Sequence, residues 1–171
     1  VLVGMVLLGG IKRIGAVAGK LVPLMTIVYV ISTVFILASY YEAIPSAIAL
    51  IMDSAFNGMA ATGGFAGAAM IAGLRAGVAR GIFSNESGLG SAPIAHAAAE
   101  TNSPVRQGTI AMLGTFIDTI IICTMTGLIL VASGAWNGDL VGANMTRSVF
   151  TSTLPFGDTI FTLSLVLFAF T

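Results

Sequence analysis

The feature that most constrains this chain is an apolar run from Ser54 to Leu74 that contains no charged residue. At 21 residues, the run is long enough to cross the hydrocarbon core of a bilayer as a helix. Three glycines, Gly63, Gly64 and Gly67, lie within five residues of one another in this run. Glycine in a helix interior costs about 1 kcal/mol relative to alanine. The run therefore predicts a membrane segment whose helix is weakened at the three glycines.

Two interpretations of the glycine cluster stay open on the residues alone. The spacing of Gly63 and Gly67 fits the small-residue motif that lets two membrane helices approach closely. Alternatively, the helix is broken here, which a membrane segment tolerates only where the freed backbone faces protein or a polar cavity. Interrupted membrane helices are also where secondary transporters bind their substrates.

The rest of the chain shares this apolar character. Its 171 residues are 57% hydrophobic and 8% charged, and its mean hydropathy is +1.02. Soluble domains carry about 25% charged residues, so the sequence predicts an all-α integral membrane protein. The net charge of zero gives no indication of a nucleic-acid partner. The single cysteine, Cys123, excludes a disulfide within this sequence and lies in an apolar run, as a small buried hydrophobic residue does.

Apolar runs at both ends lead us to expect that the chain is an internal piece of a longer membrane protein. In chain order, the predicted segments of this single membrane domain (1–171) are the end of a helix at 1–11, a span at 21–41, an outer interfacial helix at 45–56, a broken span at 57–80, a cytoplasmic loop with a short helix at 81–106, a span at 107–134, an outer loop at 135–157 and the start of a truncated span at 158–171. Pro23 stands near the start of the first span, where proline suits the first turn of a helix. Ser91 is the predicted N-cap of the short helix, and the outer loop is expected to hold at most one amphipathic turn, around 143–150.

The basic residues predict the orientation of these segments. If the spans alternate in direction, six of the seven Lys and Arg residues fall on one side of the membrane, and Arg147 falls on the other. Cytoplasmic loops are enriched in Lys and Arg. We therefore expect a multi-pass protein of the inner (cytoplasmic) membrane, with the loop at 81–106 in the cytoplasm and the loop at 135–157 outside.

A few residues have side chains that suit chemistry. Asp118 is the one acid inside a predicted full span, and both a structural hydrogen-bond anchor and an ion or proton site stay open as its role. His96, the only histidine, has Glu100 four residues later, which favours a local ion pair or cap over a pH sensor. The serines of the loop at 81–106 have no base near them in the sequence, so nothing indicates nucleophilic catalysis. We predict that the protein is not an enzyme.

One long segment resembles a known family. Residues 81–99 read GIFSNESGLGSAPIAHAAA, which is similar to the signature of the sodium:alanine (alanine/glycine:cation) symporter family. The resemblance continues through AGAA at 66–69, PVRQG at 104–108, and MLG at 112–114 with FIDT at 116–119. GGIKRI at 9–14 and LFAFT at 167–171 match the same family at the two ends. The resemblance covers nearly the whole chain.

This resemblance implies a leucine-transporter-type fold of the amino acid–polyamine–cation group, with two inverted five-helix repeats and alternating access. The chain would run from the end of the fourth helix into the eighth, and its glycine-rich span would be the discontinuous sixth helix. The implied substrate-binding residues are Thr62, Gly63, Gly64, Phe65 and Gly67. Their freed backbone groups would bind the carboxylate and amine of an amino acid, and Phe65 would cover it.

The resemblance implies further roles elsewhere in the chain. Thr171 resembles the hydroxyl position on the eighth helix that helps to bind sodium, a hard cation that suits oxygen ligands. Asn85 and Glu86 lie in the family signature on the cytoplasmic side, and we predict a role for them in the inner gate. Asp118 is a further candidate for a gate or structural residue. Sodium is expected as the coupling ion, with no other cofactor.

The function that this sequence indicates is sodium-coupled symport of a small neutral amino acid, alanine or glycine, across a lipid bilayer. One alternative is a transporter of the same fold that is coupled to protons or carries a different amino acid. The other alternative is a membrane subunit that does not transport.

Overall fold

The computed structural model of the chain describes residues 4, 8–56, 64–86 and 88–170, and the regular structure within these ranges is helical. The helices are α1 (Gly10–Ser39), α2 (Ile44–Phe56), α3 (Gly64–Ser84), α4 (Ser91–His96), α5 (Pro104–Ala132), α6 (Ala143–Thr153) and α7 (Gly157–Phe170). Short 3-10 turns at Tyr41–Ala43 and Ala135–Asn137 follow α1 and α5. The all-α class predicted from the sequence is confirmed.

Two of these helices are long and apolar enough to cross a membrane. Lys12–Ser39, within α1, is 28 residues long with a mean hydropathy of 2.4 in its most apolar part, and Pro104–Ala132 is 29 residues long with a value of 2.0. About 20 residues at a rise of 1.5 Å match the hydrocarbon core of a bilayer. α7 is a shorter apolar helix. The helices are thus compatible with a membrane transporter.

The largest differences between the helix bounds and the predicted segments are in three places. α1 begins at Gly10, so Pro23 lies inside the helix, because the residues before it include the good helix formers alanine, lysine and arginine. α3 continues through Ser84, so the loop begins at Asn85 and not at Gly81. The segment at 135–157, expected to be a loop with at most one amphipathic turn, contains the whole helix α6.

The chain divides into two compact units, Val1–Ile44 with Met125–Thr171, and Pro45–Thr124. In the first unit, α1 packs through a stripe along one face. The buried side chains of this stripe are Met25, Tyr29, Ser32, Thr33 and Ile36. Their spacing of three and four residues is that of one helix face. The hydroxyls of Ser32 and Thr33 donate to carbonyl oxygens of their own helix, Ser32 to Val28 at 2.8 Å and Thr33 to Tyr29 at 2.9 Å, so burial leaves these two donors satisfied.

An aromatic cluster forms the centre of the first unit. The ring of Tyr29 stacks on Phe150 of α6, with centroids 5.8 Å apart, and meets Phe168 of α7 edge-on at 5.7 Å. Phe150 also contacts Phe161 of α7, with centroids 5.4 Å apart. The Tyr29 hydroxyl lies 2.6 Å from Thr126 Oγ1 at the end of α5. Tyr29 therefore joins α1 to α5, α6 and α7.

The contacts within this unit also fix the relative directions of two helices. Tyr40, just past the end of α1, lies 3.5 Å from Thr153, at the end of α6 and close to the start of α7. Tyr29, eleven residues earlier in α1, contacts Phe168, near the end of α7. Because eleven helical residues rise about 16 Å, α1 and α7 run antiparallel.

The second unit holds α2, α3, α4 and most of α5. α5 begins at Pro104, where Ser103 is the N-cap and its hydroxyl oxygen accepts from the backbone N–H of Arg106 at 3.4 Å. Proline in the first turn and serine at the N-cap are common where a helix starts. Within α5, the segment Phe116–Cys123 has π-helical hydrogen bonding. This segment carries Asp118 and faces the candidate site.

Candidate functional site

The predicted substrate-binding residues lie at the start of α3 and before it. Thr62 and Gly63 lie outside the described residues, and Gly64, Phe65 and Gly67 belong to the first turn of α3, where only the backbone is described. Their assignment to the substrate site stays a prediction.

The predicted sodium site likewise depends on a residue that the structure does not describe. Thr171, its predicted ligand, lies outside the described residues, so that assignment also stays a prediction. Within residues 8–56, 64–86 and 88–170, no group of three or more His, Cys, Asp or Glu side chains is arranged to hold a metal ion. Sodium does not need such a group, because hydroxyl and carbonyl oxygens suit a hard cation.

At the other end of α3, two consecutive residues contact two consecutive residues of α5. Ser84 Oγ donates to Asp118 Oδ2 at 2.6 Å. Asn85 Nδ2 donates to Thr119 Oγ1 at 2.9 Å, and the Thr119 hydroxyl donates back to Asn85 Oδ1 at 3.1 Å. We call these four residues the polar junction. It brings together Asn85 and Asp118, two of the residues predicted from the sequence.

The π-helical segment helps to present the α5 half of the polar junction. A π-helix bonds i to i+5 instead of i to i+4, which adds a residue to the turn and shifts the face that its side chains occupy. Asp118 and Thr119 both lie in this segment, and both are partly exposed. Such insertions are frequent at functional sites. The sequence offered Asp118 as a candidate but gave no sign of the altered helix.

The chain turns sharply just after the polar junction. Glu86 has a left-handed backbone with φ of +51°, and Gly88 and Gly90 have φ of +78° and +83°. Ser91 was the predicted N-cap of α4, but Gly90 holds that position and Ser91 is the first helical residue. Ser91 Oγ instead donates to Glu86 Oε2 at 2.6 Å, which holds the turn closed. Glycine tolerates the left-handed conformation without steric cost, which is why the turn reads Gly88-Leu89-Gly90.

The turn and α5 enclose one side of an open pocket of about 460 Å³. Its lining residues are Ser84, Asn85, Glu86, Ala92, Pro93, His96, Ala111, Gly114, Thr115 and Asp118. All three residues predicted to act in a gate or as structural residues, Asn85, Glu86 and Asp118, therefore line the same pocket. The pocket has a mainly apolar lining that carries polar groups: the carboxyl groups of Glu86 and Asp118, the amide of Asn85, the imidazole of His96 and the hydroxyls of Ser84 and Thr115.

His96 lines this pocket but has a different contact from the expected one. Its Nδ1 lies 2.7 Å from Nε2 of Gln107 in α5, where we expected a local pair with Glu100. This contact joins α4 to α5. The difference arises because α4 ends at His96, four residues before Glu100, and the two residues do not share a helical turn.

On α6 and α7, an ion pair lies beside the helix junction of the first unit. Arg147 Nε donates to Asp158 Oδ1, and both side chains are 51% exposed. The hydrogen bond to this carboxylate raises the pKa of Arg147, so the guanidinium stays charged. Exposed pairs contribute little to stability because water screens them, so apolar packing is the main link between α6 and α7.

Sequence reasoning found one half of each pair in the polar junction and missed the other half. Asn85 and Asp118 were singled out, whereas Ser84 and Thr119 were not. The available signal was a polar run at 84–87 and a polar pair at 118–119, both in a largely apolar sequence. Nothing in a single sequence relates residues 34 positions apart, so the pairing itself needed the fold.

Comparison with known proteins gives the same family along the entire chain. The profile of the Sodium:alanine symporter family matches residues 1–171. An uncharacterized transporter of Haemophilus influenzae is 54% identical over 99% of this chain and 38% of its own length. The sodium/alanine symporter AgcS of Methanococcus maripaludis is 47% identical over 96% of this chain and 36% of its own length. The probable sodium/glutamine symporter GlnT of Bacillus subtilis is 40% identical over 87% of this chain and 30% of its own length.

These relatives are transporters and not enzymes, as the sequence predicted. The chain spans between 30% and 38% of the length of these three relatives. The family match covers all 171 residues, including the signature at 81–99 and the polar junction. The chain belongs to the sodium:alanine symporter family.

Proposed function

We propose that this chain is the central part of a full-length, sodium-coupled symporter that carries alanine or glycine across the cytoplasmic membrane. The observation that carries the proposal is the family match along all 171 residues, with a relative named as a sodium/alanine symporter at 47% identity. Coupling requires no covalent chemistry. Sodium and substrate act together when both favour the same conformation, because each then raises the affinity for the other.

In this proposal the fold is the leucine-transporter type, with inverted repeats. Support comes from α1 and α7, which are apolar and antiparallel within the first unit. Tyr40 and Thr153 bring the end of α1 close to the end of α6, and we propose that both ends face the outside. The basic residues Lys12, Arg13 and Lys20 lie in the first half of α1, toward the opposite end, which supports a cytoplasmic location for that end.

The proposed substrate site lies where α3 begins. In this proposal the membrane helix is interrupted before Gly64, and the first N–H groups of a helix have no partners inside the helix. Such groups carry a partial positive charge and bind carboxylates, as the ends of discontinuous helices do in transporters. The glycines and alanines of this region let a ligand approach the backbone closely, and we propose that this ligand is a small amino acid.

The first test is uptake of labelled alanine by the purified full-length protein in liposomes, with and without an inward sodium gradient. Accumulation that depends on sodium is the expected result. The second candidate function is proton-coupled transport, which is favoured by Asp118, an acid that lies in α5 and lines an open pocket. Accumulation driven by a proton gradient without sodium, and lost in Asp118→Asn, would favour this candidate. No uptake of any small amino acid would contradict both.

Replacing the proposed sodium ligand tests the ion site. We expect Thr171→Val in the full-length protein to raise the sodium concentration that half-saturates uptake, because the isosteric side chain cannot donate an oxygen ligand. Thr171→Ser keeps the hydroxyl and should behave like the wild type. An unchanged sodium dependence in a well-expressed Thr171→Val variant removes Thr171 from the site.

Removing the proposed cover of the substrate tests the amino-acid site. We expect Phe65→Ala to weaken alanine binding by about tenfold, since apolar contact with a bound ligand of this size is worth about 1–2 kcal/mol. The measurement is the alanine concentration that displaces half of a labelled substrate, beside a thermal unfolding curve of the same sample. Unchanged alanine affinity in a folded variant places Phe65 outside the site.

A further inference from the structure

The polar junction ties together two elements that apolar packing leaves apart. From Gly73 to Ser84 the described side chains of α3 are exposed, and they include Leu74, Val78 and Phe83. Asn85, by contrast, is partly buried through its contact with Thr119. Within this unit, hydrogen bonds therefore hold the end of α3 to α5.

Each bond of the polar junction is strong enough to bias a conformation and weak enough to break. A hydrogen bond between protein groups typically changes an equilibrium by about 2- to 12-fold, and a bond to a charged group by more. The Asn85–Thr119 pair has two such bonds, and the Ser84–Asp118 bond has a carboxylate as its acceptor. A conformational equilibrium in a transporter is shifted by interactions of this size.

The polar junction and the proposed substrate site lie on the same helix, so a movement of α3 affects both. It lies at one end of α3, and the residues proposed to bind the amino acid lie at the other end of the same helix. At 1.5 Å per residue the two ends of this 21-residue helix are about 30 Å apart. The pocket of about 460 Å³ lies beside the polar junction, so movement of Ser84 and Asn85 away from α5 would open that pocket further.

We propose that the polar junction is the inner latch of the transport cycle: its hydrogen bonds hold the cytoplasmic end of α3 against α5, and their rupture widens the pocket on the cytoplasmic side. Ser84, Asn85, Asp118 and Thr119 are positioning residues in this scheme and do not touch the substrate. The inference rests on the proposed function, because a latch of this kind has a purpose only in an alternating-access cycle.

Labelling of a cysteine in the pocket tests the latch in the full-length protein. Ala92 lines the pocket and is partly buried, so Ala92→Cys reports access from water, with Cys123 and any other native cysteine replaced by alanine. A membrane-impermeant maleimide is added to inside-out vesicles, and the labelling rate is measured without ligands and with sodium plus alanine. Thr119→Val keeps the shape of the side chain and removes both bonds to Asn85. We expect it to raise the rate without ligands by at least about fivefold.

Two matched variants show whether the effect belongs to the polar junction. Thr119→Ser restores the hydroxyl and should return the rate to the wild-type value. Thr109→Val makes the same change elsewhere on α5, where the hydroxyl donates only to the Val105 carbonyl oxygen of its own helix, at 3.0 Å. Its labelling rate should stay at the wild-type value. If Thr119→Val does not fold, Ser84→Ala removes the other pair and should also raise the rate.

The outcomes separate the latch from the transport proposal. A raised labelling rate in Thr119→Val that returns to the wild-type value in Thr119→Ser supports the latch. If sodium and alanine leave the labelling rate of the wild type unchanged, that result counts against alanine transport but not against the latch. A latch also predicts that Thr119→Val responds less to sodium and alanine than the wild type does, which a merely structural role would not. An unchanged rate in folded Thr119→Val, or in Ser84→Ala where it replaces that variant, overturns the latch whether or not alanine is transported.

Discussion

Phe150→Ala should lower the free energy of unfolding of the full-length protein by about 3–5 kcal/mol, the usual cost of deleting a fully buried aromatic side chain. Phe150 is 0% exposed and lies between Tyr29 of α1 and Phe161 of α7, at centroid distances of 5.8 and 5.4 Å. Truncation leaves a cavity at the point where three helices meet. Because the neighbouring rings are held by their own helices, they can fill only part of it.

A matched control lies six residues later in the chain. Phe156 is 83% exposed, so Phe156→Ala should change the free energy of unfolding by less than about 0.5 kcal/mol. Both variants are measured by equilibrium denaturation of the purified protein in detergent micelles. Similar small losses for both would mean that α6 is not anchored by Phe150, and the aromatic cluster would not be the core of its unit.

The helical class and the long apolar helices follow from the sequence because hydropathy records them directly. Inside a bilayer every backbone N–H and C=O needs a partner, and a helix supplies all of them within one segment. A run such as 21–41, which has no charged residue, therefore has few alternatives to a helix. α1 and α5 were both expected for this reason, and only the ends of the helices differ, where propensity is a weaker guide.

The helix α6 shows where the same reasoning failed. Its polar residues Asn144, Arg147 and Ser148 made the segment look like a loop, since its average character is not apolar. Thr146, Val149 and Phe150 are nevertheless buried, at a spacing of three and four residues that marks one helix face. The sequence therefore indicated one amphipathic turn at 143–150, but not that it belongs to a helix that continues to Thr153.

The candidate site, too, could be predicted only in part from the sequence. Chemistry alone singled out Asp118, because an acid is costly in a membrane segment and needs a partner. Its partner Ser84 could not be predicted, because the contact depends on how α3 and α5 pack and on the π-helical segment of α5 that carries Asp118. The proposed substrate residues at 62–67 were named only through the family resemblance, because a glycine indicates backbone freedom but does not indicate which ligand the backbone binds.

The other large effect that we expect is at Gly157, where α6 meets α7. A Cβ built on Gly157 would overlap the Phe150 carbonyl oxygen, and it would lie 2.5 Å from the Phe150 carbonyl carbon and 3.0 Å from the Thr151 nitrogen. These are backbone atoms of α6, and the Phe150 carbonyl already accepts the Leu154 N–H at 3.0 Å, so neither helix can yield without losing other contacts. We expect Gly157→Ala to cost about 1–3 kcal/mol in unfolding free energy, as overpacking does.

Gly138→Ala provides the control for this substitution. Both changes remove the same conformational freedom from the unfolded chain, which by itself would stabilise the protein slightly. At Gly138 the new Cβ would meet only the Ala135 carbonyl oxygen, at an ordinary contact distance of 3.6 Å. We expect Gly138→Ala to be neutral or slightly stabilising and Gly157→Ala to lower the denaturation midpoint clearly. Equal denaturation midpoints for the two variants would show that α6 is not in close contact with α7 at Gly157. The aromatic contacts of Tyr29, Phe150 and Phe161 would then not be supported by close backbone packing of α6 against α7.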